Sequence, residues 1–466
     1  MKEKSYARLV AFFVVVMLTL GIFTLQPSTR AQVTNEGPDT EQSAPRIDFS
    51  RLAIMGDSLS QSYQDGVIRA SAQMNNYASL LAKQVNTELR QALIADPGGY
   101  GQLFRFRNSS LPVRPLNINT FMNLDIPMPV PAGQRVDPSV RVNNFAIGGA
   151  QVTDIINARP DPNNINTPLH ASLGIPWLMD NPPVMRSQLE FVEAMNPRPT
   201  AIILFIGGND ALGAASTSNL DLLTPASKFR TDYEEIVRRA KATGAQMILV
   251  TVPDIPLVPA FISQRDLATI AGVAPELLEL GTGIRSGDFI TLRTFPTLLA
   301  ILNRTITGPV PKDQILTKKQ ARKISRTIKQ YNDAITAIGR RENFLVVDIN
   351  ALLKDLSTRG VTIPGVATIT NKYFGGTGSL DGVHLTDTAN ALLANFFIDN
   401  INNFYRTSFQ KVDVAPIAMN DPLVPKMGGT VAPSRIPTQQ EYLEMLPTLE
   451  ALGKAFVEVS TGKKQQ

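Results

Sequence analysis

A serine hydroxyl becomes a useful nucleophile only beside a base, an acid that orients the base, and donors for the oxyanion that develops. Ser58 is placed for such a role. It follows the short apolar run Leu52-Ala53-Ile54-Met55, in the sequence Gly56-Asp57-Ser58-Leu59-Ser60. Gly accepts positive φ and Asp hydrogen-bonds its own turn, so the run stops there and the hydroxyl stands at the carboxyl end of a buried strand. Ligands of open α/β sheets bind at that end. Read alone, Gly-Asp-Ser is equally a plain loop, so the rest of the chain must supply the partners.

Composition narrows the choice of partners. The 466 residues hold no cysteine and two histidines, His170 and His384. Disulfides, thiolate metal sites and a Cys nucleophile are excluded, and a His-rich metal centre is not expected. Hydrophobic residues make up 43% and charged residues 18%, which predicts a globular core. The net charge of +5 owes much to Lys2, Lys4, Arg8 and Arg30, so it does not argue for nucleic-acid binding. Those first cations precede an apolar run over 9–25, and Thr29-Arg30-Ala31 resembles a small-residue cleavage site. Residues 1–31 are therefore expected to be a signal peptide for secretion or periplasmic export. An uncleaved membrane anchor over 9–25 is the alternative.

The elements that must position Ser58 follow in order. Residues 32–48 are a polar linker. Strands are expected over 51–56, 141–146, 200–206, 246–252 and 344–349. Helices fall between or after them, over 75–89, 184–195, 229–243, 318–338 and 386–404. Five apolar strands with helices in the gaps imply an α/β fold with a parallel sheet covered on both faces. Long excursions over 96–140, 157–183 and 254–316 interrupt this pattern. Residues 408–466 form a Pro-rich tail that ends in an amphipathic helix, with Leu446, Leu449, Leu452, Phe456 and Val459 on one stripe. That stripe fits docking on the protein itself; association with a partner or a membrane surface is the alternative.

Three further blocks stand beside predicted strand or helix ends: Asn144-Phe145-Ala146-Ile147-Gly148-Gly149-Ala150, Gly207-Gly208-Asn209-Asp210 and Asp381-Gly382-Val383-His384. With Gly56-Asp57-Ser58-Leu59 they make four blocks in one order. In this the chain resembles the SGNH/GDSL hydrolase superfamily over roughly residues 49–407. The nucleophile elbow of α/β-hydrolases fits worse, because Ser60 stands where that motif needs a final Gly. The resemblance implies a flavodoxin-like three-layer α/β/α sandwich with a five-stranded parallel sheet and long loop insertions.

It also implies roles. Ser58 would be the nucleophile, His384 the general base and Asp381 the acid that fixes its tautomer. The oxyanion hole would be the Ser58 and Gly149 amides with the Asn209 side chain. Asp57 is expected to fix its turn, Asp210 to support Asn209, and Ser60 to point elsewhere. His170 is given no role. No metal or organic cofactor is expected, and no nucleic-acid partner.

The function implied is an exported serine esterase acting on carboxylic esters through an acyl-enzyme, lipase- or phospholipase-like. Phe104, Phe121, Trp177 and Phe289 would line an apolar groove for a lipid acyl chain. A glycan O-acetyl esterase, an acyltransferase on the same site and a non-catalytic exported binding protein are the alternatives.

Overall fold

Successive side chains of a strand point to opposite faces, so a strand that is apolar throughout needs cover on both sides. The computed structural model describes residues 45–107, 123–130, 133–159, 185–426 and 438–461. The expected export segment, the alternative anchor over 9–25, Phe121, His170 and Trp177 lie outside them. In chain order the principal elements are β1 (Leu52–Gly56), α1 (Ser58–Gln61), β2 (Tyr63–Gln64), β3 (Val67–Ile68), α2 (Tyr77–Gln84), β4 (Gly101–Leu103), α3 (Gln188–Glu193) and β5 (Ala201–Phe205). They continue with α4 (Asn209–Thr217), α5 (Ala226–Lys241), β6 (Gln246–Val250), α6 (Phe295–Leu302), α7 (Lys318–Glu342), β7 (Leu345–Val347), α8 (Asp387–Tyr405) and α9 (Gln439–Thr461).

The central sheet is parallel, in the order β1–β5–β6–β7. Its two faces build two cores. Ala53, Met55, Ile202, Leu204, Met247 and Leu249 pack with Phe229 and Tyr233 of α5 and Tyr331 of α7. The Phe229 and Tyr331 rings stack with centroids 4.1 Å apart. The alternate residues Leu52, Ile54, Ile203, Phe205, Ile248 and Val250 pack with Tyr77 of α2 and Phe397 of α8, stacked at 5.0 Å. Sheet between two helical layers is the three-layer α/β/α arrangement expected.

The sheet has four regular strands where five were expected. Residues 141–146 do lie along the outer edge of β1, where Ile54 N donates to Asn143 O, Phe145 N to Ile54 O and Ile147 N to Gly56 O. They form one isolated bridge, Ile54 with Asn144, and no longer ladder. The reason is Gln188, whose Oε1 accepts from Gly56 N, the amide that a continued ladder would donate to Phe145 O. A side chain that occupies a backbone group competes with the sheet ladder for it.

The C-terminal helix α9 is part of the first core. Leu449, Leu452 and Phe456 are buried there, and Leu446 and Val459 pack against it. Gly453 allows the close crossing, since a Cβ at that position would lie 3.1 Å from Arg293 Cα. Arg107 Nη2 donates to Thr448 Oγ1 at 2.7 Å and ties the helix to the segment after β4. The apolar stripe is thus used inside the protein. Among the described residues no helix is long and apolar enough to cross a membrane.

Two aromatics expected in an acyl groove are core residues instead. Phe104 is buried in the first core, under Gly66. Phe289 is half-buried against the same core and pairs with Ser263 in a short two-stranded antiparallel ribbon.

Candidate active site

From β1 the chain crosses to the edge segment on one side, then returns to β5 on the other. That reversal opens a crevice at the carboxyl ends of the strands. Ser58 opens α1 directly after β1, Gly149 follows the edge segment, and Asn209 opens α4 after β5. Ser58, Gly148, Gly149 and His384 line one pocket of about 40 Å³, walled by Tyr63, Tyr100, Gln102, Glu458 and Val459.

The turn at Ser58 is held from several sides. A Cβ on Gly56 would lie 2.5 Å from Phe205 O, so only glycine lets β1 end this close to β5. Gln188 of α3 clamps the same residue, accepting from Gly56 N and donating to Gly56 O, both at 2.9 Å. Asp57 caps α1 by accepting from Leu59 N at 3.0 Å. Burial pushes the Asp57 carboxyl up to about 6, against the opposing pull of the Leu59 amide and the His384 charge. Ser60 does point elsewhere: its buried hydroxyl pairs with Tyr77 Oη at 2.7 Å.

The loop 381–384 is organised by Asp381 itself. Its Oδ1 accepts from Val383 N and His384 N, both at 2.8 Å, folding the loop back on the carboxylate. Its Oδ2 accepts from Gly66 N at 2.6 Å and lies 2.8 Å from His384 Nδ1. Burial alone would raise this acid, but the His384 charge and the hydrogen bonds from His384 and Val383 outweigh it and hold Asp381 down at about 2. In the neutral imidazole an ionised Asp381 fixes the hydrogen on Nδ1 and leaves the lone pair on Nε2. The Tyr63 ring packs 5.5 Å from the imidazole, centroid to centroid.

Of the three expected oxyanion donors, Ser58 and Gly149 line the pocket; Asn209 is not among its lining residues and bonds the segment just after Gly149. Gly149 has φ +81°, a left-handed conformation that glycine adopts freely. Gln61 Oε1 holds the turn by accepting from Gly148 N at 2.5 Å. No hydrogen bond runs from the Ser58 or Gly149 amide to another described residue. Asn209 Nδ2 donates one hydrogen to Ala150 O at 2.9 Å and keeps a second. Asp210 does not touch the Asn209 amide. Its Oδ2 accepts from Val152 N at 2.9 Å, so both residues tie the segment 149–152 to the start of α4. Burial raises the Asp210 carboxyl to about 7, despite the Val152 amide.

Sequence reading missed several residues that hold this site. Asp65-Gly66 is the two-residue turn between β2 and β3, with φ +53° and +81°, a pattern whose short-range signal is Asp-Gly between apolar pairs. Asp65 Oδ1 accepts from Leu380 N at 2.8 Å and Asp65 N donates to Ser379 Oγ at 3.0 Å, so the turn grips the loop 379–381 from both ends. Gln188 and Glu458 carry no motif, and nothing local marks them.

The sequence model of the GDSL-like Lipase/Acylhydrolase family matches residues 52–397. A search of curated proteins gave no significant match. Among solved structures, the chain is similar to LAE5, an alpha/beta hydrolase enzyme from the metagenome of Lake Arreo, with 13% identity, TM-score 0.35, and 78% of this chain and 98% of that one covered. It is similar to the acetyl xylan esterase AlAXEase at 12% identity and TM-score 0.32, covering 75% of this chain and 99% of that one. The psychrotrophic esterase EstA from Pseudoalteromonas sp. matches at 12% identity and TM-score 0.30, covering 77% of this chain and 100% of that one.

Proposed function

The chain belongs to the GDSL-like lipase/acylhydrolase family and is a hydrolase of ester bonds, and from that premise we propose that it cleaves short-acyl carboxylic esters through an acyl-enzyme on Ser58. The observation that carries the reading is the Asp381–His384 pair, bonded at 2.8 Å, in a loop whose imidazole shares one pocket with Ser58.

In this mechanism Ser58 Oγ attacks the acyl carbon as His384 Nε2 takes its proton. Asp381, ionised at working pH, keeps the imidazole in the tautomer that can accept and stabilises the imidazolium. The carbonyl electrons move onto oxygen, and that oxyanion faces the Ser58 and Gly149 amides and the free Asn209 Nδ2 hydrogen. Collapse breaks the bond to the alcohol oxygen, which leaves with the proton from His384. Water then attacks the acyl-enzyme, His384 takes its proton, and the acid departs as Ser58 regains its hydrogen.

A pocket of about 40 Å³ walled by Tyr63 and Val459 supports an acetyl-sized acyl group over a lipid chain. Lys2, Lys4 and Arg8 ahead of the apolar run over 9–25 support export. The test is hydrolysis of p-nitrophenyl esters from acetyl to palmitoyl by the purified protein and its Ser58→Ala variant. Highest kcat/KM on acetyl, lost in the variant, is the expected result. A preference for palmitoyl would overturn the acyl-size reading, and full activity in Ser58→Ala would overturn the nucleophile.

A further inference from the structure

Among the described residues, Glu458 is the one carboxylate that lines the pocket of Ser58 and His384. It arrives there from the far end of the chain, on the last turn of α9. Its position is fixed: the helix is anchored by buried Leu452 and Phe456, by Gly453 against Arg293 and by Thr448 on Arg107. Gln102 Nε2 donates to Glu458 Oε2 at 3.1 Å and holds the carboxylate at the pocket wall. Gln102 is neutral, so the contact leaves the charge in place. No Lys or Arg forms an ion pair with Glu458 among the described residues.

The placement runs against the helix's own preference. A negative side chain in the last turn faces the negative end of the helix dipole, and that turn carries no basic residue to offset it. Residues that break a local rule without a structural return cluster where function needs them. Here the return is a fixed negative charge beside the reacting groups.

We propose that Glu458 is a charge-selecting residue of the catalytic pocket: it disfavours esters that carry a negative group beside the scissile bond and favours those that carry a positive one. The inference rests on the reading of Ser58 and His384 as the reacting pair and adds to it the electrostatic class of the substrate. A half-exposed carboxylate acts through partly screened Coulomb forces, so the effect is a modest and salt-sensitive bias.

The experiment uses three acetates whose aryl groups are neutral, anionic and cationic: phenyl acetate, meta-carboxyphenyl acetate and meta-trimethylammoniophenyl acetate, whose intrinsic reactivities cancel when each ratio is compared between two proteins. kcat/KM is measured for each on the full-length protein and on Glu458→Gln. In the variant the anionic-to-neutral ratio rises about fivefold, and the cationic-to-neutral ratio falls by a similar factor. Glu458→Lys pushes both ratios further in the same directions. Equal changes on all three esters, or none, would overturn charge selection and leave Glu458 a structural residue. If phenyl acetate is not hydrolysed, or is hydrolysed as well by Ser58→Ala, the reaction assignment itself fails and takes the charge selection with it.

Discussion

The Gly66 amide donates to Asp381 Oδ2 at 2.6 Å, the same oxygen that lies 2.8 Å from His384 Nδ1. A turn near the start of the fold therefore holds the carboxylate partner of His384 from 315 residues away. Gly66 has φ +81°, and a Cβ there would lie 2.2 Å from Gln102 O and 2.8 Å from the Phe104 ring. Backbone strain and overpacking together predict that Gly66→Ala destabilises the protein by about 2–4 kcal/mol. Urea denaturation measures this; a loss below about 0.5 kcal/mol would contradict the contact.

Removing the charge from Asp381 tests the pair itself. Asp381→Asn keeps the shape but replaces an acceptor with an amide, and the imidazole loses its oriented tautomer. By analogy with serine-protease triads, kcat on a short ester falls on the order of 10⁴-fold.

Asp381 also predicts part of the acid limb of stability. Its folded value of about 2 lies below its ordinary 3.8, so its contribution is complete above about pH 4 and is lost as pH falls toward 2. The difference in Tm between the wild type and Asp381→Asn should shrink over that window.

Asp210 works in the opposite direction. Burial raises it from 3.8 to about 7, so between those values the folded state holds a proton that the unfolded state has released. Its contribution to stability is therefore largest below about pH 4 and falls as pH rises to about 7. Asn can still accept from Val152 N. Asp210→Asn should accordingly flatten the decline in Tm across that range, and an unchanged pH profile would contradict the burial argument.

In the proposed mechanism Asn209→Ala removes a side-chain donor to the oxyanion, together with the tie to Ala150. A single such donor is typically worth ~10²–10³ in kcat with little change in KM. Steady-state kinetics on the acetyl ester distinguish this from a binding defect, which would raise KM instead.

What could be read from sequence was what is local. The blocks at Ser58, Gly148-Gly149, Asn209 and Asp381–His384 each combine a strand or helix end with residues suited to a turn, and the fold brings Ser58, Gly148, Gly149 and His384 to one pocket, with Asn209 bonded to Ala150 beside it. The apolar stripe continues through Val85 and Leu89 and so predicts a longer helix than α2, which ends before Asn86 because that residue turns left-handed at φ +53°. Residues 141–146 read as a full strand because hydrophobicity does not register that Gln188, from a distant helix, takes the Gly56 amide the ladder would use. The grip of Asp65-Gly66 on Asp381 and the arrival of Glu458 at the pocket are long-range contacts. Neither leaves a periodic trace.

The most direct test of the central claim is covalent labelling with a fluorophosphonate, read by mass spectrometry of the intact protein and its peptides. The account predicts one adduct, on Ser58, absent in Ser58→Ala and formed far more slowly in His384→Ala. A folded protein that hydrolyses the acetyl ester but carries no adduct on Ser58, or carries it on another residue, would contradict it.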